Sequence, residues 1–173
     1  RGRINELSSS RLGPTRTLTA AMGRMDTPPP VFLSQSASGY YGNAGQAVLR
    51  ENAPAGSGVL ARICADWEAA AHEAPAGVRV VTVRTGVVLS RSGGALGRLL
   101  PLLRLGVGGP LGSGRQYWPW ITLPDVAGAF NFLLTAPLAG PVNVCAPESA
   151  DVNSLIARLA EALHRPAVLR VPA

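Results

Sequence analysis

The run Ser34–Gly42, SQSASGYYG, gathers Ser36, Ser38, Tyr40 and Tyr41. Hydroxyls and phenols hold polar ligands, and a phenol passes a proton to or from a reacting oxygen. A tyrosine with no cation beside it titrates near ~10 and is a poor base at neutral pH. Tyr40 and Tyr41 therefore admit two readings. One makes either of them a replacement acid. In the other, one packs under the loop and its neighbour lines a pocket. Arg84-Thr85-Gly86-Val87 ends a second apolar run. There Arg84 either faces a ligand or closes a buried strand end, paired with a carboxylate. Cys64 falls on the apolar face of a helix, where a thiol is inert. The two cysteines and two histidines match no metal-ligand spacing, so no metal centre is expected.

Charge excludes less than it suggests. The chain of 173 residues carries a net +6, and all of its 16 basic residues are arginine. They are scattered singly and give no basic stripe of the kind that tracks a nucleic acid backbone. A solvated basic surface is the expectation. No apolar run reaches the roughly 18 residues of a membrane span. The first residues hold basic side chains without an apolar signal core. A reducing, cytoplasmic setting is the default expectation.

The elements that must position these residues follow from periodicity. A helix is expected over residues 5–23, disturbed at Pro14. Val31-Phe32-Leu33 reads as a short buried strand, with 34–42 as the loop leaving it. Residues 43–58 are polar and rich in Gly and Pro, hence a surface loop. Leu60, Ile63, Cys64, Trp67 and Ala71 recur with helical period. Val78–Thr85 is β-branched and reads as a core strand parallel to the first, and 86–94 as a turn. Helices over 95–105 and 153–163 and a strand over 142–145 complete the alternation. Helices alternating with apolar strands predict an α/β fold with a parallel sheet.

Gly109–Phe130, GPLGSGRQYWPWITLPDVAGAF, is the densest stretch. Gly112-Ser113-Gly114 predicts a tight turn. Tyr117, Trp118 and Trp120 follow, and Thr122 with Asp125 has capping-box spacing ahead of a helix. The wording GGPLGSGRQ, PWI and DVAGA resembles the corresponding segment of extended short-chain dehydrogenases/reductases, the NAD-dependent epimerase/dehydratase superfamily, in its atypical "epimerase family protein" branch. The resemblance covers nearly the whole chain.

That resemblance implies a Rossmann-like doubly wound sheet that binds NAD or NADP. It implies that the chain begins about one hundred residues into the family pattern, after the Gly-rich pyrophosphate turn. It also implies that relatives continue past Arg170–Ala173. Members use a Ser/Tyr/Lys set in which lysine activates the tyrosine while hydride moves to or from the cofactor. Gapless counting places Ala37 at the serine position, Leu60 at the tyrosine and Cys64 at the lysine, so the set is expected to be absent. Tyr40 and Tyr41 remain as catalytic candidates. Ser36, Arg84, Thr85, Gly86 and Val87 are the expected cofactor contacts. Relatives acting on nucleotide-sugars carry an arginine where this chain has Trp118. Arg115, Trp118 and Trp120 become the expected substrate pocket, suited to an apolar or aromatic group or to a closed lid.

The expected partition gives residues 1–93 and 120–137 to the Rossmann part, and 94–119 and 138–173 to a substrate-binding part. The functional expectation is a nicotinamide-dependent oxidoreductase or epimerase-like protein acting on an unidentified small molecule. The alternative, from a different class, is a non-catalytic nucleotide-binding or interaction protein on the same fold.

Overall fold

A strand buried on both faces needs apolar or internally satisfied side chains at every position, and two runs of this chain meet that demand. The computed structural model describes residues 2–109 and 112–167. Pro110 and Leu111 of the central stretch, and the Arg170–Ala173 end, lie outside the described residues. Strand β1 (Val31–Ala37) pairs in parallel with β2 (Arg79–Thr85), in the register Val31 to Arg79 through Ala37 to Thr85. Helix α2 (Val59–Ala71) lies between them in the chain and packs on both. The parallel βαβ unit expected from the sequence is therefore present. Strand β6 (Gly140–Val144) adds to β2, also in parallel, giving the order β1-β2-β6.

Helix α1 (Gly2–Met22) runs through Pro14 without a break, contrary to the expected disturbance. Ser10, Gly13 and Pro14 are exposed, so the carbonyl that proline deprives of a donor faces water. The helix is fixed to α2 by polar contacts. The Trp67 indole N–H donates to Thr15 Oγ1 at 2.8 Å, and the Arg11 guanidinium lies over the Trp67 ring. Arg79 secures helix α4 (Leu123–Thr135) by donating to the carbonyls of Leu133, Leu134 and Leu138 at 2.8–3.1 Å. A cation on the last carbonyls of a helix also suits its dipole.

The described residues form two compact units. One holds the residues up to Thr85 together with Ala127–Val144, and the other holds Gly86–Val126 with the residues after Val144. In the second unit, β3 (Val87–Leu89) pairs in parallel with β5 (Trp120–Thr122). Strand β4 (Tyr117–Trp118) pairs antiparallel with β7 (Ala150–Asp151). Helices α3 (Gly94–Arg104) and α5 (Val152–Ala162) share a core of Leu99, Leu103, Val152, Ile156 and Ala160. Asp151 caps α5 by accepting from the Ser154 N–H, and these hydrogen bonds hold its carboxyl below the usual range. Thr122 and Asp125 do the same for α4, with Thr122 Oγ1 accepting from the Asp125 N–H.

Two expectations need correction. Ser34–Ala37 continues β1 instead of forming a loop, because β2 supplies ladder partners as far as Ala37. The signal was polar: Ser34 and Ser36 are buried, and Gln35 between them is exposed. Val87–Leu89 is a strand inside what reads as a turn, since the flanking glycines masked a three-residue partner for β5. Strand β6 joins the first sheet and β3 joins β5, so the units divide after Thr85, Val126 and Val144.

Leu103 is 1% exposed and Leu102 beside it is 38% exposed. Leu103→Ala is expected to destabilise the chain by about 2–5 kcal/mol, and Leu102→Ala by well under half of that. Denaturant titration of both variants checks this, and equal losses would contradict the assignment of the α3–α5 core.

Candidate functional site

A carboxylate on the inward face of an amphipathic helix and a guanidinium inside a β-branched strand each need a partner, because neither charge is tolerated alone. Here they meet. Glu68 of α2 takes Arg84 of β2 in a two-pronged pair: Nε donates to Oε1 and Nη2 to Oε2, both at 2.8 Å. Arg84 is 3% exposed and Glu68 8%. Ser36 Oγ, 1% exposed, donates to Glu68 Oε1 at 2.7 Å. Arg84 Nη1 donates to the Tyr41 phenol oxygen at 2.9 Å and to the Glu51 carbonyl at 3.1 Å. Tyr41 in turn donates to Asn143 Oδ1 at 2.7 Å. Burial disfavours the Arg84 charge, but the bonds to Glu68 and Tyr41 outweigh it and hold the guanidinium firmly protonated.

The two tyrosines are separated by this cluster. They stand edge to face, 5.3 Å between ring centres, in the 3-10 turn Ser38–Tyr41 that follows β1. Tyr41 is buried, and its hydroxyl is committed on both sides. Tyr40 is half-buried and lays its ring on the Arg84 guanidinium, 3.4 Å from its carbon. No hydrogen bond engages the Tyr40 hydroxyl among the described residues. Both phenols thus have the cationic neighbour that the sequence withheld. Of the two readings open for Arg84, the structure shows the carboxylate pair.

Thr85 Oγ1 accepts from the Gln35 amide at 2.7 Å. Gly86 has no room for a side chain, since a Cβ there would overlap the Pro119 carbonyl, and the Val87 N–H donates to that same carbonyl at 2.6 Å. Cys64 is buried and not disulfide-bonded; burial, reinforced by Glu68, pushes its thiol up. It is a core side chain, as its helical face indicated. Leu60, by contrast, is 60% exposed.

The second unit sorts the aromatic run. Trp118 packs against the α3–α5 core. Tyr117 and Trp120 line a cavity of about 160 Å³ with Glu148, Ser149, Ala150, Asp151, Ser154 and Arg158. Arg115 is exposed, and its backbone N–H donates to Ser113 Oγ. The turn before it is glycine-dependent as expected: Gly114 has φ +68°, and a Cβ there would collide with Asn153.

Sequence reading passed over Glu68, Glu51, Asn143 and Arg158. The first was detectable. A glutamate at helical spacing with Cys64 and Ala71 sits on the buried face, and the arginine of the adjoining strand is its natural partner. Glu51 lies in a segment with no periodicity and Asn143 in a short strand far along the chain, and only the folded chain brings them together.

The chain matches the model of the NAD dependent epimerase/dehydratase family over residues 3–164. It is 44% identical over 168 residues to Epimerase family protein Mb2239 of Mycobacterium bovis, covering 96% of this chain and 55% of that protein. It superposes on a crystal structure of human epimerase family protein SDR39U1 with NADPH at a TM-score of 0.94 and 36% identity, covering 99% of this chain and 59% of that one. A nucleoside-diphosphate sugar epimerase from Corynebacterium glutamicum is 33% identical with a TM-score of 0.78, covering 99% of this chain and 39% of its own. The chain thus spans little more than half the length of the first two relatives.

Removing one member of the buried pair strands the other. Glu68→Ala is expected to cost about 3–5 kcal/mol, more than Tyr41→Phe, which removes a hydrogen-bonding hydroxyl worth about 1–3 kcal/mol. Thermal or denaturant unfolding ranks the two. With iodoacetamide at neutral pH, exposed Cys145 is expected to alkylate in the folded protein, and Cys64 only on unfolding, as read by mass spectrometry.

Proposed function

The chain belongs to the NAD dependent epimerase/dehydratase family, and from that premise we propose that the whole protein binds NADP or NAD and carries out redox chemistry on a small molecule. The observation that most supports this reading is the likeness to a relative solved with NADPH. The chemistry of the donor set agrees with one end of such a cofactor. The ends of β1 and β2 offer hydroxyls, an amide and an aromatic ring, while the charge of Arg84 is spent on Glu68. Such a set suits a sugar and a base more than a pyrophosphate, which calls for unspent cations or helix N–H groups.

In this reading Ser36 and the Arg84–Val87 run border the nicotinamide end, with the Arg84–Glu68 pair fixing the end of the strand. The nicotinamide, when bound, exchanges hydride with a substrate carbon. Tyr40, whose hydroxyl meets no hydrogen-bond partner among the described residues, handles the proton, and Arg84 under its ring holds the ring in place. Tyr41 is held by Asn143 and Arg84 and positions its neighbour. The Ser/Tyr/Lys set is absent, Leu60 and Cys64 standing at the tyrosine and lysine positions. Taken by itself, the second unit's cavity at Tyr117 and Trp120 suits an apolar or aromatic group. Arg115 and Trp118 are secondary to it, one exposed and the other packed into a core. A cytoplasmic setting fits a nicotinamide-dependent activity.

A second reading, a non-catalytic nucleotide-binding protein, has one observation in its favour. The cluster of Ser36, Glu68, Arg84, Tyr41 and Asn143 satisfies itself internally, as a structural core does.

The whole protein is expected to bind NADPH or NADH in a fluorescence titration, yet to epimerise nucleotide-sugars weakly or not at all. Loss of the usual proton-transfer pair removes a factor of order 10²–10⁴. Loss of an arginine at the Trp118 position removes a contact worth ~1.5–3 kcal/mol. Robust turnover of any nucleotide-sugar in a panel would overturn the activity reading. Failure to bind either cofactor would leave the non-catalytic one.

A further inference from the structure

Residues 43–58 join the 3-10 turn after β1 to helix α2 without regular secondary structure. Connections of more than about 12–15 residues with no structure of their own are uncommon in compact domains, and those that occur are often lids or binding loops. No residue from Gly42 to Leu60 is buried, so apolar packing does not hold this segment down. Polar bonds do. The Glu51 carboxylate accepts the backbone N–H of Asn143 at 2.9 Å. The Leu49 carbonyl accepts from Asn143 Nδ2 at 3.3 Å, and the Glu51 carbonyl accepts from Arg84 Nη1 at 3.1 Å. Near the far end the Gly56 N–H donates to the Tyr40 carbonyl, and a Cβ at Gly56 would collide with the Tyr41 carbonyl.

The middle of the segment is thus fastened to two places. One is β6, which among the described residues pairs only with β2 and so forms an edge of the sheet. The other is the buried Arg84–Tyr41 cluster. The Glu51 carboxylate takes an edge N–H that a further strand would otherwise take. The segment's fastening at Asn143 and Arg84 consists of three hydrogen bonds, and breaking them leaves the β1-β2-β6 ladder and the Arg84–Glu68 pair untouched.

We propose that residues 43–58 are a strap, latched by the Glu51 carboxylate on the edge of β6, that opens as a unit and uncovers Tyr41 and Arg84. Opening frees one N–H of Arg84 Nη1 and both nitrogen donors of Asn143. They then suit a carbonyl or carboxylate oxygen of an incoming ligand. That such a ligand is the substrate rests on the nicotinamide-dependent reading; the latch does not. The strap then gates the tyrosine pair in the way that lids gate other sites.

Arg50 is exposed and adjoins the latch, so trypsin reads the strap directly. In the whole protein, Glu51→Ala is expected to raise cleavage after Arg50 about ten-fold, the lower end of what losing a hydrogen bond to a charged acceptor gives. Glu51→Gln keeps an acceptor oxygen and is expected to raise it less. In the alanine variant, nitration of Tyr41 by tetranitromethane, located by mass spectrometry, is expected to rise as well. Hydrogen exchange in β2 is expected to stay slow. Neither readout needs cofactor, so a failure here is distinct from a failure of the nicotinamide-dependent reading. Unchanged cleavage in Glu51→Ala would overturn the latch. Cleavage that rises without nitration of Tyr41 would show that the segment covers nothing. Loss of β2 protection together with the cleavage would make Glu51 a brace of the whole unit and not a latch.

Discussion

The first unit is arranged around one buried ion pair. Two charges withdrawn from water cost several kcal/mol each, and their attraction offsets this only when geometry is good and the remaining lone pairs and protons are satisfied. Arg84 and Glu68 meet both conditions. The pair is two-pronged, and Ser36, Tyr41 and the Glu51 carbonyl take up further capacity. Helix α2, strand β2, the end of β1 and residues 43–58 must all be placed together for this to happen. The pair and its partners thus join these elements through directional hydrogen bonds.

The same pair decides which tyrosine hydroxyl enters the hydrogen-bond network. A guanidinium presents N–H donors in its plane and bare faces above and below. Tyr41 lies in reach of the edge, so its oxygen is drawn into the hydrogen-bond network. Tyr40 lies over the face, so its ring is held while its hydroxyl stays out of the network. Two adjacent residues of one type thus receive different environments from a single cation.

In the second unit the sorting agent is the alternation of a strand. Neighbouring residues of β4 point to opposite faces, so Trp118 enters the α3–α5 core while Tyr117 turns the other way. Trp120, beyond Pro119, reaches the same cavity as Tyr117. The glycine turn before them approaches Asn153 too closely for any side chain at Gly114, which ties the start of α5 to this crossing.

Much of the fold was legible in the sequence, because its signals are local. The apolar periodicity at Ile63, Cys64 and Ala71 marked α2, the β-branched run marked β2, and Thr122 with Asp125 marked the start of α4. Each depends on side chains a few positions apart meeting one face or one backbone end. The wording of the central stretch carried the family as well. What the sequence did not determine is held by contacts between distant residues. Polar Ser34–Ala37 became strand only because β2 offered a ladder, and Val87–Leu89 only because β5 did. The partner of Arg84 is Glu68, sixteen positions back in the chain on the helix that precedes its strand. The fastening of residues 43–58 depends on Asn143, which no local pattern links to Glu51. Local propensity marks the elements whose signal is apolar and periodic, while the pairing of backbone groups and buried charge, which only the folded chain can arrange, decides the polar strand ends and which side chains are tied up.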